Sequence, residues 1–141
     1  MKLKDLYGAS ADKAAFSRRI GNLSAEYEKL TGKKPEAFFS SSGRAEICGN
    51  HTDHNHGKVL VAAISCDVLA AVGKTDDGTI RVQSAGFPPF ALNVHDLAVN
   101  KSEYGKSVAL VRGVVKGLKD RGYTVGGFTV VSESTIFRGA G

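Results

Sequence analysis

The sequence predicts an α+β fold, and three observations carry that reading. An apolar helical period runs between Phe16 and Leu30, and a series of short β-branched and small apolar runs follows from Ala37 to Val94. A second helical period begins after Ser107 and is followed by one more apolar run, GGFTVV. The order α-β-β-β-β-β-β-α-β suits an α+β sandwich rather than a regular βαβ repeat. At 141 residues, and with roughly 150 residues per domain, the chain is read as one domain with its own core.

Each element has its own justification. Phe16, Ile20, Leu23, Tyr27 and Leu30 recur at spacings of four and three, which predicts a helix from about Asp12 to Thr31. Ser10 and Asp12 are candidate N-caps, Gly32 is the stop, and Pro35 prevents continuation. Ala37 to Ser40 and Ala45 to Cys48 read as two short buried strands on either side of the break SSSGR. Val59 to Ile64, Val68 to Val72 and Thr79 to Ser84 read as strands, with Asp77-Gly78 as the tight turn of an antiparallel hairpin. FALNV, after Pro88 and Pro89, reads as an edge strand.

From Ser107, residues Val108, Val111, Val115 and Leu118 fall on one helical face, with Leu110 and Val114 beside it and Gly122 as the stop. Gly113 and Gly117 cost this helix about 1 kcal/mol each relative to alanine and are expected to pack closely on a sheet. Residues 126 to 136, GGFTVVSESTI, read as the last strand, and FRGAG leaves it as a glycine-rich loop.

Composition excludes several classes. With 42% hydrophobic and 23% charged residues the chain is neither disordered nor fibrous. The net charge of +5 and pI near 9.3 come from scattered lysines and arginines, which argues against a nucleic-acid partner. No stretch approaches the roughly 18 apolar residues of a membrane span, and no signal peptide is visible, so the expected location is the cytoplasm. The two cysteines, Cys48 and Cys66, lie in apolar runs and read as buried thiols.

The chemistry concentrates in GRAEICGNHTDHNHG, residues 43 to 57, a polar segment between apolar strands and therefore a loop held on a rigid sheet. A solvated loop with incidental histidines is one reading. A metal-dependent hydrolase using His51, Asp53, His54 and His56 is another, although in an extended chain those four would divide between two faces. A third is recognition of a polyhydroxylated molecule, catalytic or as a sugar-binding module. Asp53 can bridge adjacent hydroxyls, Asn50 and His51 can each take another, and the fork of Arg44 suits a phosphoryl oxygen.

GRAEICGNHTDHNHGKVLVAAI resembles the galactokinase signature, of form GRxNLIGEHTDYNxGxVLPxAI, in the galactokinase branch of the GHMP small-molecule kinases. The likeness keeps GR, HTD, the asparagine and glycine after it, VL and AI, and continues thinly as RGV in the later helix, GGF and a terminal GAG. It implies a GHMP N-terminal domain of the ribosomal protein S5 domain 2-like type, a mixed sheet with helices packed on one side. It implies that residues 1–141 are that domain, with the signature at 43–64, cut at the start of the phosphate-binding loop and without the second domain.

The implied activity is transfer of the γ-phosphoryl of ATP, with Mg2+, to the anomeric hydroxyl of galactose or a related hexose, by a parent enzyme of which this fragment is inactive. Arg44 matches the family's arginine near that hydroxyl and the phosphoryl group, and is the implied catalytic residue. His51 and Asp53 match hydroxyl ligands, Asn50 stands at a glutamate that contacts sugar, and Gly139, Ala140 and Gly141 match the opening of the nucleotide-binding loop. Glu46 replaces an asparagine, His54 a tyrosine, Val61 a proline and Phe137 a proline. Apolar faces of the second helix or last strand are expected to be uncovered, with a homodimer of the fragment as the consequence.

Overall fold

The computed structural model describes residues 7, 8 and 12–137. Ser10 and the terminal Gly139, Ala140 and Gly141 lie outside them. Helix α1 (Lys13–Thr31) is capped by Asp12, whose carboxylate accepts from the amides of Ala14 and Ala15, both at 2.9 Å. It closes at Gly32, whose left-handed φ of 71° turns the N–H back to the Glu28 carbonyl.

Strand β1 (Ala37–Cys48) is continuous, and so is β2 (Leu60–Thr75). The expected breaks are register shifts rather than strand ends. Ser42 opposes Asp67 and Arg44 opposes Ala63, so Gly43 alone faces the three residues between Ala63 and Asp67. A ladder can absorb such an offset without terminating, and SSSGR is therefore a bulge and not a loop.

Strands β3 (Thr79–Ser84), β4 (Phe90–Asn93) and β5 (Gly127–Ser134) complete a sheet of order β1-β2-β5-β3-β4, with helix α2 (Ser107–Asp120) between β4 and β5 in sequence. The expected β2–β3 hairpin is not formed. β5 lies between those strands, antiparallel to β2 and parallel to β3. Asp77-Gly78 still turns the chain, with Gly78 at φ 65°, but it joins strands that have β5 between them. Gly127 admits β5 at that corner, since a Cβ there would lie 2.5 Å from Thr75 Oγ1 and 2.7 Å from the Thr79 amide nitrogen. β4 is an edge strand, as its sequence predicts.

The α+β class and mixed sheet stand as expected, but the two helices lie on opposite faces. Side chains alternate along β5, and Val131 joins Leu69, Ala71, Leu23 and Tyr27 under α1, while Phe128 joins Ile80, Leu92 and Val115 under α2. Gly73 provides the room for Tyr27, whose hydroxyl oxygen would sit 2.3 Å from a Cβ at that position. Gly113 and Gly117 do not pack on the sheet. A Cβ at Gly113 meets nothing within 4 Å, and one at Gly117 meets only Arg121. Leu110 is 71% exposed and Val114 56%, so the outer face of α2 is uncovered as expected. The last strand is instead central and largely buried.

β5 pairs only with Val68–Thr75 of β2. The first half of β2 and the second half of β1 therefore extend beyond the sheet as a two-stranded arm. Ile47, Leu60, Val61 and Ile64 are exposed there, as is Cys48, and Cys66 is half-buried. Their apolar neighbours in sequence suggest burial, but neither helix covers the arm.

Candidate functional site

The loop 49–57 closes the end of this arm. Gly49 takes φ 115°, and Asn50, His51 and His56 take φ 49°, 56° and 63°, three left-handed residues that are not glycine. Such backbone is costly unless its surroundings hold it, and it concentrates at functional loops. The surroundings here are specific. Thr52 donates its hydroxyl to the Gly49 carbonyl at 2.8 Å, and its own carbonyl accepts from Asn55 and Gly57, both at 2.9 Å. A Cβ at Gly57 would fall 2.2 Å from Thr52 Oγ1, and one at Gly49 2.6 Å from the Lys58 carbonyl. Asp53–Asn55 form a single 3-10 turn.

This tight turn gathers what an extended chain would separate. His51 Nδ1 lies 3.3 Å from Asp53 Oδ1 and 3.7 Å from Glu46 Oε2, and the His51 amide donates to Glu46 Oε1. The rings of His51 and His54 meet edge to face at 5.6 Å, and the Asn55 side-chain amide lies 3.2 Å from His54 Nε2. His51 and Asp53 are both more than half exposed, so they present donors and acceptors to solvent while holding each other in place. Among the described residues no three of His, Cys, Asp and Glu come together to hold a metal ion.

Arg44 belongs to the same arm but not to the loop cluster. It lines a cleft of about 320 Å³ with Ser42, Gly43, Ile64, Cys66, Ile136 and Phe137, and among the described residues it makes no ion pair. An arginine without a counter-ion in a cleft is free to take an anion. A larger hollow, about 470 Å³, lies between α1 and the β3–β5 part of the sheet and contains none of Arg44, Asn50, His51 or Asp53.

Two features escape sequence reasoning. Glu46 reads there as a replacement near the substrate, yet it braces the loop through His51. Asp67, 1% exposed, accepts from Tyr7, from Ser40 at 2.8 Å and from Arg19 Nη2 at 2.8 Å, while Arg19 Nε donates to Glu133 at 2.5 Å. Burial pushes the Asp67 carboxyl up, but the hydrogen bonds from Tyr7, Ser40 and Arg19 outweigh it and hold it below the ordinary value. The signal in the sequence is a lone carboxylate inside the apolar run AISCDVLAA, which demands a buried partner.

The galactokinase galactose-binding signature matches residues 25–74. Galactokinase from Streptomyces coelicolor is 34% identical over 123 residues, covering 86% of this chain and 31% of that protein. The galactokinase of Clostridium tetani is 30% identical over 123 residues, with the same coverage of 86% and 31%. The chain thus spans about a third of the length of the curated relatives it matches.

Among solved structures, galactokinase from Lactococcus lactis complexed with galactose superposes with a TM-score of 0.74 at 24% identity, covering 85% of this chain and 32% of that one. Mevalonate kinase from Methanococcus jannaschii superposes at 0.57 with 15% identity, over 74% of this chain and 34% of that one. The fold is that of the N-terminal domain of the GHMP small-molecule kinases. Within that class, the chain is a homologue of the galactokinases and carries their galactose-binding signature.

Proposed function

We propose that residues 1–141 form the sugar-binding N-terminal domain of a galactokinase, an enzyme that transfers the γ-phosphoryl of ATP to the anomeric hydroxyl of galactose. The observation that carries this reading is the pairing of His51 with Asp53, 3.3 Å apart in a loop of held left-handed backbone, inside the matched signature. Asp53 accepts from sugar hydroxyls, His51 and Asn50 add donors and acceptors, and Arg44 stabilises negative charge on the transferred group from its cleft. Most of the rate gain in such a transfer comes from positioning and charge stabilisation.

Gly139, Ala140 and Gly141, which match the opening of the family's nucleotide-binding loop, are assigned to the nucleotide. Arg44, which makes no ion pair among the described residues, fits a phosphoryl group of ATP. Among the described residues no group of His, Cys, Asp and Glu could hold Mg2+. When bound with nucleotide it would neutralise phosphate charge. The cytoplasm is the proposed location; no helix among the described residues is long and apolar enough to cross a membrane. A second copy of the chain is the proposed partner of the exposed Leu110–Val114 face.

A coupled ADP-release assay of the whole gene product with galactose, N-acetylgalactosamine, glucose and mannose tests this reading. Galactose-dependent ATP consumption is expected; none with any hexose would leave a sugar-binding module. Residues 1–141 by themselves should bind galactose weakly and turn over no ATP, because half of the enclosing cleft belongs to the remainder of such an enzyme.

A further inference from the structure

We propose that Asp67 and Thr135 form a clamp that fixes where the chain leaves β5 and so positions the Ile136–Phe137 wall of the cleft beside Arg44. Asp67 opposes Thr135 one step beyond the last β2–β5 ladder pair, Val68 with Ser134. The Thr135 amide donates to the Asp67 carbonyl at 2.9 Å, as a ladder requires. The Asp67 amide goes instead to the Thr135 hydroxyl, also at 2.9 Å. A side-chain oxygen thus takes a ladder bond, and the chain is released from the sheet at this residue.

One residue earlier, Ser134 Oγ accepts the Ile136 amide at 3.0 Å, which bends the exit further. The bend delivers Ile136 onto Gly43, where a Cβ would lie 3.1 Å from Ile136 Cδ1, and Gly43 is the neighbour of Arg44. The far side of the clamp is rigid, because the Asp67 carboxylate is held by Arg19, Ser40 and Tyr7. Asp67 and Thr135 are therefore positioning residues. They connect the helix-bearing part of the sheet to the cleft wall. Their importance for phosphoryl transfer rests on the kinase reading above, whereas the clamp itself does not.

Cys66, half-buried in the same cleft, reports on the wall, and exposed Cys48 serves as an internal reference. Alkylation of both thiols of the intact 141-residue chain by iodoacetamide, located afterwards by mass spectrometry of its peptides, requires neither sugar nor nucleotide. Thr135→Val keeps the backbone bond and removes the hydroxyl, and it should raise the Cys66 rate at least about threefold relative to Cys48 through local opening. Thr135→Ser should restore it. Glu133→Gln, which weakens the Arg19–Glu133 contact but leaves the Arg19–Asp67 and Asp67–Thr135 bonds in place, should leave the ratio unchanged even where it lowers the melting temperature. Should Thr135→Val fail to fold, Ser134→Ala tests the same exit and should raise the ratio likewise. An unchanged ratio in the folded clamp variant, or an equal rise in Glu133→Gln, would overturn the proposal. A rise in the clamp variants together with a gene product inactive on every hexose would retain the clamp and remove the kinase reading.

Discussion

Arg19 on α1 and Asp67 on β2 lie 2.8 Å apart, and the same guanidinium reaches Glu133 on β5, so one side chain ties the helix to two adjacent strands. The carboxylate is buried and the arginine is only about a fifth exposed, which puts the pair in the regime where removing one partner strands a charge.

Arg19→Ala is expected to destabilise the chain by about 3 kcal/mol at neutral pH, read as a lower urea midpoint. Acid titration supplies a second check. Because the folded-state pKa of Asp67 is depressed, its contribution is complete above the unfolded value near 3.9 and is lost as pH falls through the folded one. The native chain should therefore lose stability below about pH 4 more steeply than Arg19→Ala. Parallel pH profiles would contradict the assignment.

Glu46 makes the loop legible as a mechanical object. Glu46→Gln retains an oxygen for the His51 amide and should bind galactose much as the native chain does. Glu46→Ala releases the left-handed Asn50–His51 pair and should weaken binding about tenfold, from loss of a bond worth about 1.4 kcal/mol. Isothermal calorimetry of both variants decides between brace and direct ligand; equal losses would favour the ligand.

Gly49→Ala places a methyl 2.6 Å from the Lys58 carbonyl at φ 115°, so backbone must move. The expected cost is about 2 kcal/mol or more, with loss of galactose binding, measured by thermal melting and calorimetry. A variant with native melting and binding would show that the loop has slack the geometry denies.

Arg44→Lys should depress turnover of the proposed kinase far more than its sugar affinity, since an ammonium retains charge but loses the planar fork. Steady-state kinetics of the whole gene product give the comparison. Normal kcat with a raised KM would place Arg44 on the sugar alone.

Much of this was readable in advance where a residue's role is local. Asp12 caps, Gly32 stops and Gly78 turns because each depends on neighbours a few positions away, and the signature loop was marked by its own density of polar groups. Pairing was not readable in the same way. Asp77-Gly78 has the chemistry of a hairpin, but the strand beside β2 is β5, which comes far later in the sequence and meets Thr75 and Thr79 where Gly127 leaves room. Burial of the cysteines failed for a related reason: apolar flanks describe a strand, not what covers it. The helices fall on opposite faces because β5 alternates Phe128 and Val131, a parity that matters only once β5 is known to be central.

The central place of the last described strand bears on how the chain acquires its shape during synthesis. β1 with β2, and β3 with β4, are neighbours in sequence and can pair as soon as each has emerged. The two pairs have no ladder between them until β5 enters and joins one on each edge. A nascent chain short of Gly127 is therefore two ribbons with open inner edges. The layer under α1 is completed only when β5 brings Val131, in a step dominated by contacts distant in sequence and so slow on the scale of local pairing. Chaperone protection would be needed most in that interval, when the inner edges of β2 and β3 offer unpaired amides and carbonyls to any other strand.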